Sequence, residues 1–215
     1  FYLGFESPYF QIIHKAYNRC VDLKDEFNLE EHDPRDVYWN KLDHVSKNLN
    51  NYKKVKKLYD FNDMIKMLTD KPEKIPEFDV IFIDEAQDLS PLQWKLYDVL
   101  KTKTKDMYLA GDDDQAIFAW AGADVKRFIQ EPAKEKTLIY SKRISKAVQE
   151  QSKVAIDNIT GIRKQKIYHP RNYKGKCEEI YNIDEVDLTK GKWLILSRTI
   201  SKVLKIGEML IEKGF

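Results

Sequence analysis

A short run of apolar residues that ends abruptly in adjacent carboxylates constrains this chain more than any other feature. Val80 to Ile83 has the length and composition of a buried parallel strand, and Asp84 and Glu85 follow at its carboxyl end. Ligand sites of open α/β sheets lie at such strand ends. In nucleotide hydrolases the first acid of such a pair holds Mg²⁺ through water, and the second polarises the attacking water. The alternative is that both acids only cap the helix expected to start near Ser90.

A second apolar stretch, Met107 to Ala110, predicts another short strand and runs into the polar segment Gly111 to Asp124. The consecutive acids and Gln115 in this segment are too polar for a protein core and suit a loop that faces a phosphate or a metal. The amide of Gln115 can donate to a γ-phosphate oxygen and accept from the attacking water. Gln115 is therefore suited to sensing whether the γ-phosphate is present.

Trp120 lies in the same segment, between the small residues Ala119, Ala121 and Gly122, which leave its ring room to be exposed. An exposed indole can stack on an unpaired base, an interaction typically worth about 1–3 kcal/mol per base. We group Phe118 with Trp120 as candidate DNA-binding residues. The alternative is a tryptophan buried between a strand and a helix.

Together these segments resemble a known family. Asp84-Glu85-Ala86-Gln87-Asp88 resembles the Walker B motif of superfamily 1 DNA helicases of the UvrD/Rep/PcrA type, and Gly111 to Asp124 resembles their motif III. Three further segments resemble the family. Residues 59–65 resemble its Asp-Phe-x-Asp helix, residues 138–148 its Asn-Tyr-Arg-Ser motif, and residues 193–198 a later strand that ends in arginine. The resemblance spans about residues 59 to 215, and the part before it matches only in helical character.

The resemblance implies ATP and Mg²⁺ as cofactors and assigns roles to individual residues. It implies that Asp84 positions Mg²⁺, that Glu85 activates water and that Gln115 senses the γ-phosphate. It also implies that Arg143 touches the γ-phosphate from a second motor domain, where arginine stabilises charge on the transferring phosphoryl oxygens. Without the neighbouring motifs, Arg143 is equally well interpreted as a surface residue at the start of a helix.

The implied activity is ATP-dependent movement on single-stranded DNA and unwinding at junctions of single-stranded and duplex DNA. Closure of the motor domains would move Trp120 and its neighbouring loop against the strand. A 3′ to 5′ direction comes from the family resemblance alone. Two alternatives stay open: a non-catalytic nucleic-acid-binding scaffold, and an ATPase motor that works on protein or belongs to a helicase–nuclease complex.

The expected fold class is α/β. Strands alternating with helices favour a doubly wound parallel sheet. The resemblance implies a partial RecA-like P-loop NTPase sheet with a helical inserted subdomain and the start of a second RecA-like domain. The expected regions are the inserted subdomain at 1–58, the C-terminal half of the first motor domain at 59–140, and the beginning of the second at 141–215.

Hydrophobic periodicity and breaker residues predict the individual elements. The predicted helices cover residues 8–27, 36–50, 60–68, 91–100, 124–130, 142–158 and 198–211. The predicted strands cover residues 78–83, 107–110, 137–140, 177–182 and 193–197.

Composition excludes several classes of protein. Lys and Arg number 37 against 35 Asp and Glu, so net charge does not mark a nucleic-acid binder. Cys20 and Cys177 are too far apart in sequence to suggest a disulfide framework or a metal site, which favours a cytoplasmic setting. No run approaches the roughly 18–20 apolar residues of a membrane span. Basic runs at 53–57, 101–105 and 161–176 are interpreted as solvated surface, which produces such runs more often than binding sites do, and a contact with a phosphate backbone is the alternative at 161–176.

The main departure from the family is that the sequence contains no G-x-x-x-x-G-K-[ST] phosphate loop. Without its lysine and backbone cradle the triphosphate has no anchor, so we expect an internal piece of a larger helicase that does not hydrolyse ATP alone. Ala121 stands where many relatives have arginine, which removes one expected phosphate or DNA contact. Ser141 replaces the usual asparagine, and Lys142 replaces the usual tyrosine, which puts adenine stacking there in doubt.

Overall fold

The computed structural model describes residues 7–29 and 37–214. The helices within these ranges are α1 Pro8–Arg19, α2 Leu23–Leu29, α3 Trp39–Lys56, α4 Phe61–Asp70, α5 Pro91–Lys101, α6 Val125–Gln130, α7 Lys146–Asp157 and α8 Ile200–Glu212. The strands are β1 Phe78–Ile83 and β2 Thr104–Leu109. Short 3₁₀ turns at Ala86–Asp88, Asp113–Gln115 and Ala119–Ala121 follow the strands.

Helices α1 to α3 build a small apolar core of their own. Proline at the first turn of α1 suits a helix start, because the missing N–H would have no partner there. Apolar side chains at helical spacing then face inward, and the fully buried members of this core are Tyr9, Ile12, Ile13, Val37 and Leu42. These helices therefore pack as a unit around α1.

The predicted helix at 8–27 is wrong in one respect, because the structure divides it into α1 and α2. Cys20 adopts a left-handed conformation with φ 56°, and its N–H bonds back to the last turn of α1. The Asp22 side chain then accepts from the N–H of Lys24 at the start of α2. The predicted start of the next helix, residue 36, lies outside the described residues, and α3 continues past the predicted end to Lys56.

A charged contact joins the end of α3 to the start of α4. Asp60 and Asp63 form a capping box at the N-terminus of α4, in which each side chain accepts from the other residue's N–H. The Lys53 ammonium of α3 lies 3.0 Å from Asp60 and 2.8 Å from Asp63. This lysine is therefore a structural residue rather than part of an open basic patch.

Strands β1 and β2 form a parallel pair, and α5 connects them. The register places Phe78 opposite Thr104 and Ile83 opposite Leu109. The parallel strand predicted at 78–83 is confirmed, and the second strand begins earlier than predicted. The prediction that β1 is buried is wrong, because Phe82 is 76% exposed and stacks with Tyr108 at 5.1 Å on an uncovered face.

The predicted strands at 137–140, 177–182 and 193–197 are not formed in the described part of the chain. There the sheet has two strands, and the later region contributes only an isolated parallel bridge between Tyr140 and His169. A strand needs a neighbouring strand to take its backbone hydrogen bonds. The side chains at 193–197 are also not packed against a core, since Leu194 is 81% exposed and Leu196 is 80% exposed. The observed fold is therefore α/β with a small parallel sheet, and residues 7–29 and 37–214 do not form a doubly wound sheet.

The remaining helices follow the predicted pattern with shifted starts. Helix α7 begins at Lys146 instead of 142, because Ser145 is its N-cap and accepts from the N–H of Val148. Ser141 Oγ meanwhile accepts from the N–H groups of Arg143 and Ile144 in the turn before it. Across residues 7–29 and 37–214, none of the helices combines the length and apolar character needed to span a bilayer.

Candidate functional site

The carboxyl ends of β1 and β2 bring the acidic segments together. Beyond the paired strands, the N–H of Ala110 donates to Ile83 O at 2.8 Å and the N–H of Ala86 donates to Ala110 O at 2.9 Å. These bonds extend the parallel pairing beyond the strands themselves. Residues 84–88 and 111–115 consequently lie side by side at one edge of the sheet, where α/β folds place their ligands.

Asp84 and Glu85 are exposed at this edge and do not cap the following helix. Helix α5 is capped by Ser90, whose Oγ accepts from the N–H of Gln93 while the Gln93 side chain accepts from the N–H of Ser90. The capping interpretation of the two acids is therefore wrong. Glu85 instead has a left-handed backbone with φ 52°, which costs a residue with a Cβ about 1 kcal/mol.

Gln87 links the two acidic segments. Its side chain is buried, with 1% exposure of the residue, and its Nε2 donates to Glu85 Oε2 at 2.8 Å. Its Oε1 accepts from the N–H of Asp112 at 3.0 Å. A Cβ at Gly111 would lie only 2.7 Å from Gln87 Oε1, so a side chain there would displace the amide.

The network continues from Asp112 to Gln115. Gln115 Nε2 donates to Asp112 Oδ2 at 2.7 Å, and Asp112 Oδ1 accepts from the N–H of Asp114. Glu85, Gln87, Asp112 and Gln115 are therefore joined by side-chain hydrogen bonds, and we call these residues the strand-end network. Sequence reasoning missed Gln87, because the motif that contains it indicates no role for this residue. The one hint is that Gln87 is the single amide side chain in a stretch otherwise made of acids and apolar residues.

A basic segment, residues 163–166, neutralises the three consecutive acids. Arg163 donates to both oxygens of Asp114, at 2.7 and 2.9 Å, in the bidentate geometry that favours arginine. Lys166 Nζ contacts the carboxylates of Asp112, Asp113 and Asp114. The interpretation of this basic run as solvated surface is thus wrong for Arg163 and Lys166.

These contacts shift the pKa values of the groups involved. Hydrogen bonds from Arg163 hold the pKa of Asp114 below its ordinary value. Burial by itself would raise the pKa of Asp112, but hydrogen bonds from Lys166 and Gln115 outweigh it and leave that pKa lowered. Burial by itself would lower the pKa of Lys166, but its carboxylate partners outweigh it and leave that pKa raised.

Lys166→Met is expected to lower the free energy of unfolding at pH 7 by about 1–2 kcal/mol, because it leaves partly buried carboxylates without their cation. Lys164→Met is the matched control. The Lys164 ammonium pairs with Glu135, which is not one of the three acids. The hydrogen bond from the backbone N–H of Lys164 to Asp113 is kept in the variant. Urea unfolding of both variants measures the difference, and equal losses would contradict a special role for Lys166.

The stabilisation by Lys166 is also expected to depend on pH. Because the pKa values of Asp112 and Asp114 are lowered in the folded protein, their contribution to the free energy of unfolding is complete above the pKa of the unfolded chain, about 3.9. This contribution is lost as the pH falls through the folded pKa. The raised pKa of Lys166 makes its contribution complete below about 10.4 and lost as the pH rises through the folded pKa. The difference between wild type and Lys166→Met should therefore shrink at both extremes in a pH series of unfolding curves.

Asp88 differs from the other acids of the site. Burial, followed by the negative charge of Glu85, raises its pKa above the ordinary value. Its Oδ1 is buried and has no hydrogen-bond partner in the described part of the chain.

Asp84 is the candidate magnesium ligand. One of its oxygens accepts from the N–H of Glu85 at 3.0 Å, and the side chain is open to solvent. Residues 7–29 and 37–214 contain no group of three or more His, Cys, Asp or Glu side chains arranged to hold a metal. A single exposed carboxylate nevertheless fits Mg²⁺, which keeps several waters and uses one or two protein carboxylates.

Trp120 is 69% exposed and Phe118 is 43% exposed, so the interpretation of Trp120 as a buried residue is wrong. Their ring centroids are 6.3 Å apart with planes inclined at 44°. Residues 118–123, which we call the Trp120 loop, turn at Gly122 with φ 99°, a conformation that favours glycine. The loop thus presents aromatic surface beside the strand-end network.

Arg143 is not brought to the acidic segments. Its side chain is exposed, and in the described part of the chain it forms no ion pair with Asp84, Glu85 or the acids at 112–114. Arg163 and Lys166 are the cations that contact those acids. In the basic run at 101–105, Lys101 forms an ion pair with Glu131 and Lys105 forms one with Asp79. Most of the positive charge of this run is therefore balanced by neighbouring carboxylates.

The family model of the UvrD/REP helicase N-terminal domain matches residues 8–136 of this chain. The chain belongs to the UvrD/REP helicase family. The matched range includes α1 to α3, which in sequence resemble the family only in helical character, and it ends before Arg143, whose role stays a prediction.

Individual relatives agree with this assignment. The RecBCD enzyme subunit RecB of Buchnera aphidicola is 38% identical over 98 residues, which are 41% of this chain and 8% of RecB. The ATP-dependent DNA helicase PcrA of Staphylococcus aureus is 35% identical over 78 residues, which are 33% of this chain and 11% of PcrA. PcrA of Staphylococcus epidermidis matches to the same extent. The chain thus spans about a tenth of the length of these curated relatives.

Proposed function

We propose that the protein containing this chain is an ATP-dependent DNA helicase or translocase. It couples ATP hydrolysis to 3′ to 5′ movement on single-stranded DNA and to unwinding at single-strand/duplex junctions. The observation that carries the proposal is the strand-end network, which joins a candidate water-activating acid, Glu85, to a candidate phosphate sensor, Gln115, beside an exposed tryptophan. Family membership and the similarity to PcrA, an ATP-dependent DNA helicase, support it.

Each site residue has a role in this proposal. Glu85 polarises the attacking water, and Gln115 turns from Asp112 to the γ-phosphate when nucleotide binds. Asp84 holds Mg²⁺, which when bound neutralises charge on the phosphate oxygens. Arg143 comes from the second motor domain to stabilise charge on the transferring phosphoryl group. The hydrogen bond to Asp112 is the one that the Gln115 amide would exchange for the γ-phosphate.

The proposed domain organisation is the one that the sequence resemblance implies. Residues 1–58 belong to a helical inserted subdomain, 59–140 to the C-terminal half of a RecA-like motor domain, and 141–215 to the beginning of a second one. The separate apolar core of α1 to α3 supports the first assignment. The parallel β1–α5–β2 unit, with acids at its carboxyl edge, supports the second.

A second candidate is a motor subunit of a larger complex, and the match to RecB favours it, because RecB is named as a subunit of the RecBCD enzyme. A non-catalytic scaffold is less favoured. A strained backbone at Glu85 and the repulsion between Glu85 and Asp88 are costly features that a scaffold does not need.

ATP hydrolysis by the full-length protein, with and without single-stranded DNA, tests the proposal. Strong stimulation by DNA in the protein purified alone is the expected result. Hydrolysis that needs a copurifying partner would favour the motor subunit. Complete lack of hydrolysis with bound nucleotide would favour the scaffold.

Trp120→Ala in the full-length protein is expected to weaken binding of single-stranded DNA by about 2 kcal/mol, roughly thirtyfold, through loss of base stacking. The control is Trp193→Ala, since Trp193 is 55% exposed but lies outside the Trp120 loop. Fluorescence anisotropy of a labelled oligonucleotide measures both. An equal effect of the two substitutions would contradict a specific role for Trp120.

A further inference from the structure

The C-terminal end of α1 lies directly against the Trp120 loop, far from it in sequence. Asn18 Nδ2 donates to the carbonyl oxygen of Ala121 at 3.3 Å. Gly122 is buried, and a Cβ on it would lie 3.4 Å from Arg19 Cγ and 3.5 Å from Asn18 Cβ. The side chains of Asn18 and Arg19 therefore form the surface on which the turn of the loop rests.

Arg19 is held in this position by a buried partner. Its Nη1 donates to both oxygens of Glu26, at 3.1 and 3.3 Å, and Glu26 is fully buried at 0% exposure. The guanidinium is thereby directed towards α2, and the apolar stem of the side chain faces Gly122. A buried charge pair of this kind keeps its geometry, because separating it leaves a carboxylate without its cation.

The Trp120 loop and the residue that follows it, Asp124, are held by different parts of the chain. At its C-terminal end, the N–H of Asp124 donates to Leu89 O at 2.9 Å, next to the candidate site. In its middle, Ala121 and Gly122 contact α1. Trp120 directly precedes Ala121 and Gly122 in the chain, so the direction of its exposed ring depends on their contact with α1.

We propose that Asn18 and Arg19 are positioning residues that orient Trp120 for single-stranded DNA, and that α1 thereby links the helical part of the protein to DNA engagement. This inference rests on the proposed DNA motor function. A displacement of α1 changes the position of the indole without touching Asp84, Glu85 or Gln115. Loss of the contact should therefore raise the DNA concentration needed for stimulation, while the maximal rate of ATP hydrolysis changes little.

Asn18→Asp in the full-length protein tests the contact, because it removes the donor to Ala121 O and replaces it with a carboxylate of the same size. The DNA concentration that gives half-maximal stimulation of ATP hydrolysis is expected to rise about tenfold. The rate at saturating DNA should change less than twofold, and Asn18→Gln, which keeps an amide donor, should recover most of the loss. An unchanged half-maximal concentration in a protein that DNA does stimulate would overturn the inference.

Asn48→Asp is the matched control, since Asn48 Nδ2 donates to His44 O within α3, where the same chemical change is remote from the Trp120 loop. It should leave both kinetic quantities at the wild-type values. A tenfold rise in this variant too would overturn the specific role of Asn18.

Hydrogen exchange provides a readout that does not depend on ATP. The N–H groups of Ala121, Gly122 and Ala123 bond within the loop, and they should exchange faster in Asn18→Asp than in wild type. Wild-type exchange rates in the variant would overturn the contact itself. Faster exchange in a full-length protein that DNA never stimulates would keep the contact but remove the proposed motor function, and with it the link to DNA.

Discussion

Glu85→Gln is expected to lower the rate of ATP hydrolysis by the full-length protein about a thousandfold, the range in which loss of a general base falls. The substitution removes the basic carboxylate and keeps the size of the side chain. An amide oxygen at this position still accepts from Gln87 Nε2, so the strand-end network is preserved. Nucleotide binding and the free energy of unfolding should therefore stay close to wild type.

Steady-state hydrolysis with saturating DNA, together with a nucleotide-binding titration, separates these effects. Glu77→Gln is the control, because Glu77 is an exposed acid just before β1 and outside the strand-end network. Normal turnover in Glu85→Gln would show that another residue activates the water. Loss of nucleotide binding would show that Glu85 has a structural role instead.

Gln87→Leu is expected to have the second largest effect, about a hundredfold in turnover and about 2 kcal/mol in the free energy of unfolding. The leucine fills a similar volume but cannot bond to the N–H of Asp112 or to the carboxylate of Glu85. A buried donor without a partner costs about 1–3 kcal/mol. Turnover falls because Glu85 loses the hydrogen bond that orients it and Asp112 loses its connection to residues 84–88.

Gln130→Leu is the control for this second prediction, since Gln130 is exposed at the end of α6. Urea unfolding and steady-state hydrolysis are measured on both variants. A stable Gln87→Leu protein with normal turnover would show that the acidic segments work independently. A destabilised variant with normal turnover would restrict Gln87 to a structural role.

Local sequence patterns predicted much of the fold. The apolar run at 78–83, bounded by polar residues, predicts β1 because its length and composition suit a parallel strand. Ser90 and Pro91 mark the start of α5 because a serine N-cap and a first-turn proline satisfy the free end of a helix. The later apolar stretches at 177–182 and 193–197 were predicted as strands by the same reasoning, but no strand among the described residues lies beside them to pair with.

In the candidate site, too, some features follow from local sequence and others from the tertiary structure. The sequence by itself determined the candidates for the chemistry, namely Asp84, Glu85, Gln115 and Trp120, because each follows a strand in a recognisable motif, and their roles stay predictions. Only the tertiary structure decided their partners. Lys166 lies 54 residues from Asp112 in sequence, and Asn18 lies 103 residues from Ala121. A basic or amide side chain has the same local pattern whether it faces water or a distant segment, so its partner is determined by how the chain folds back on itself.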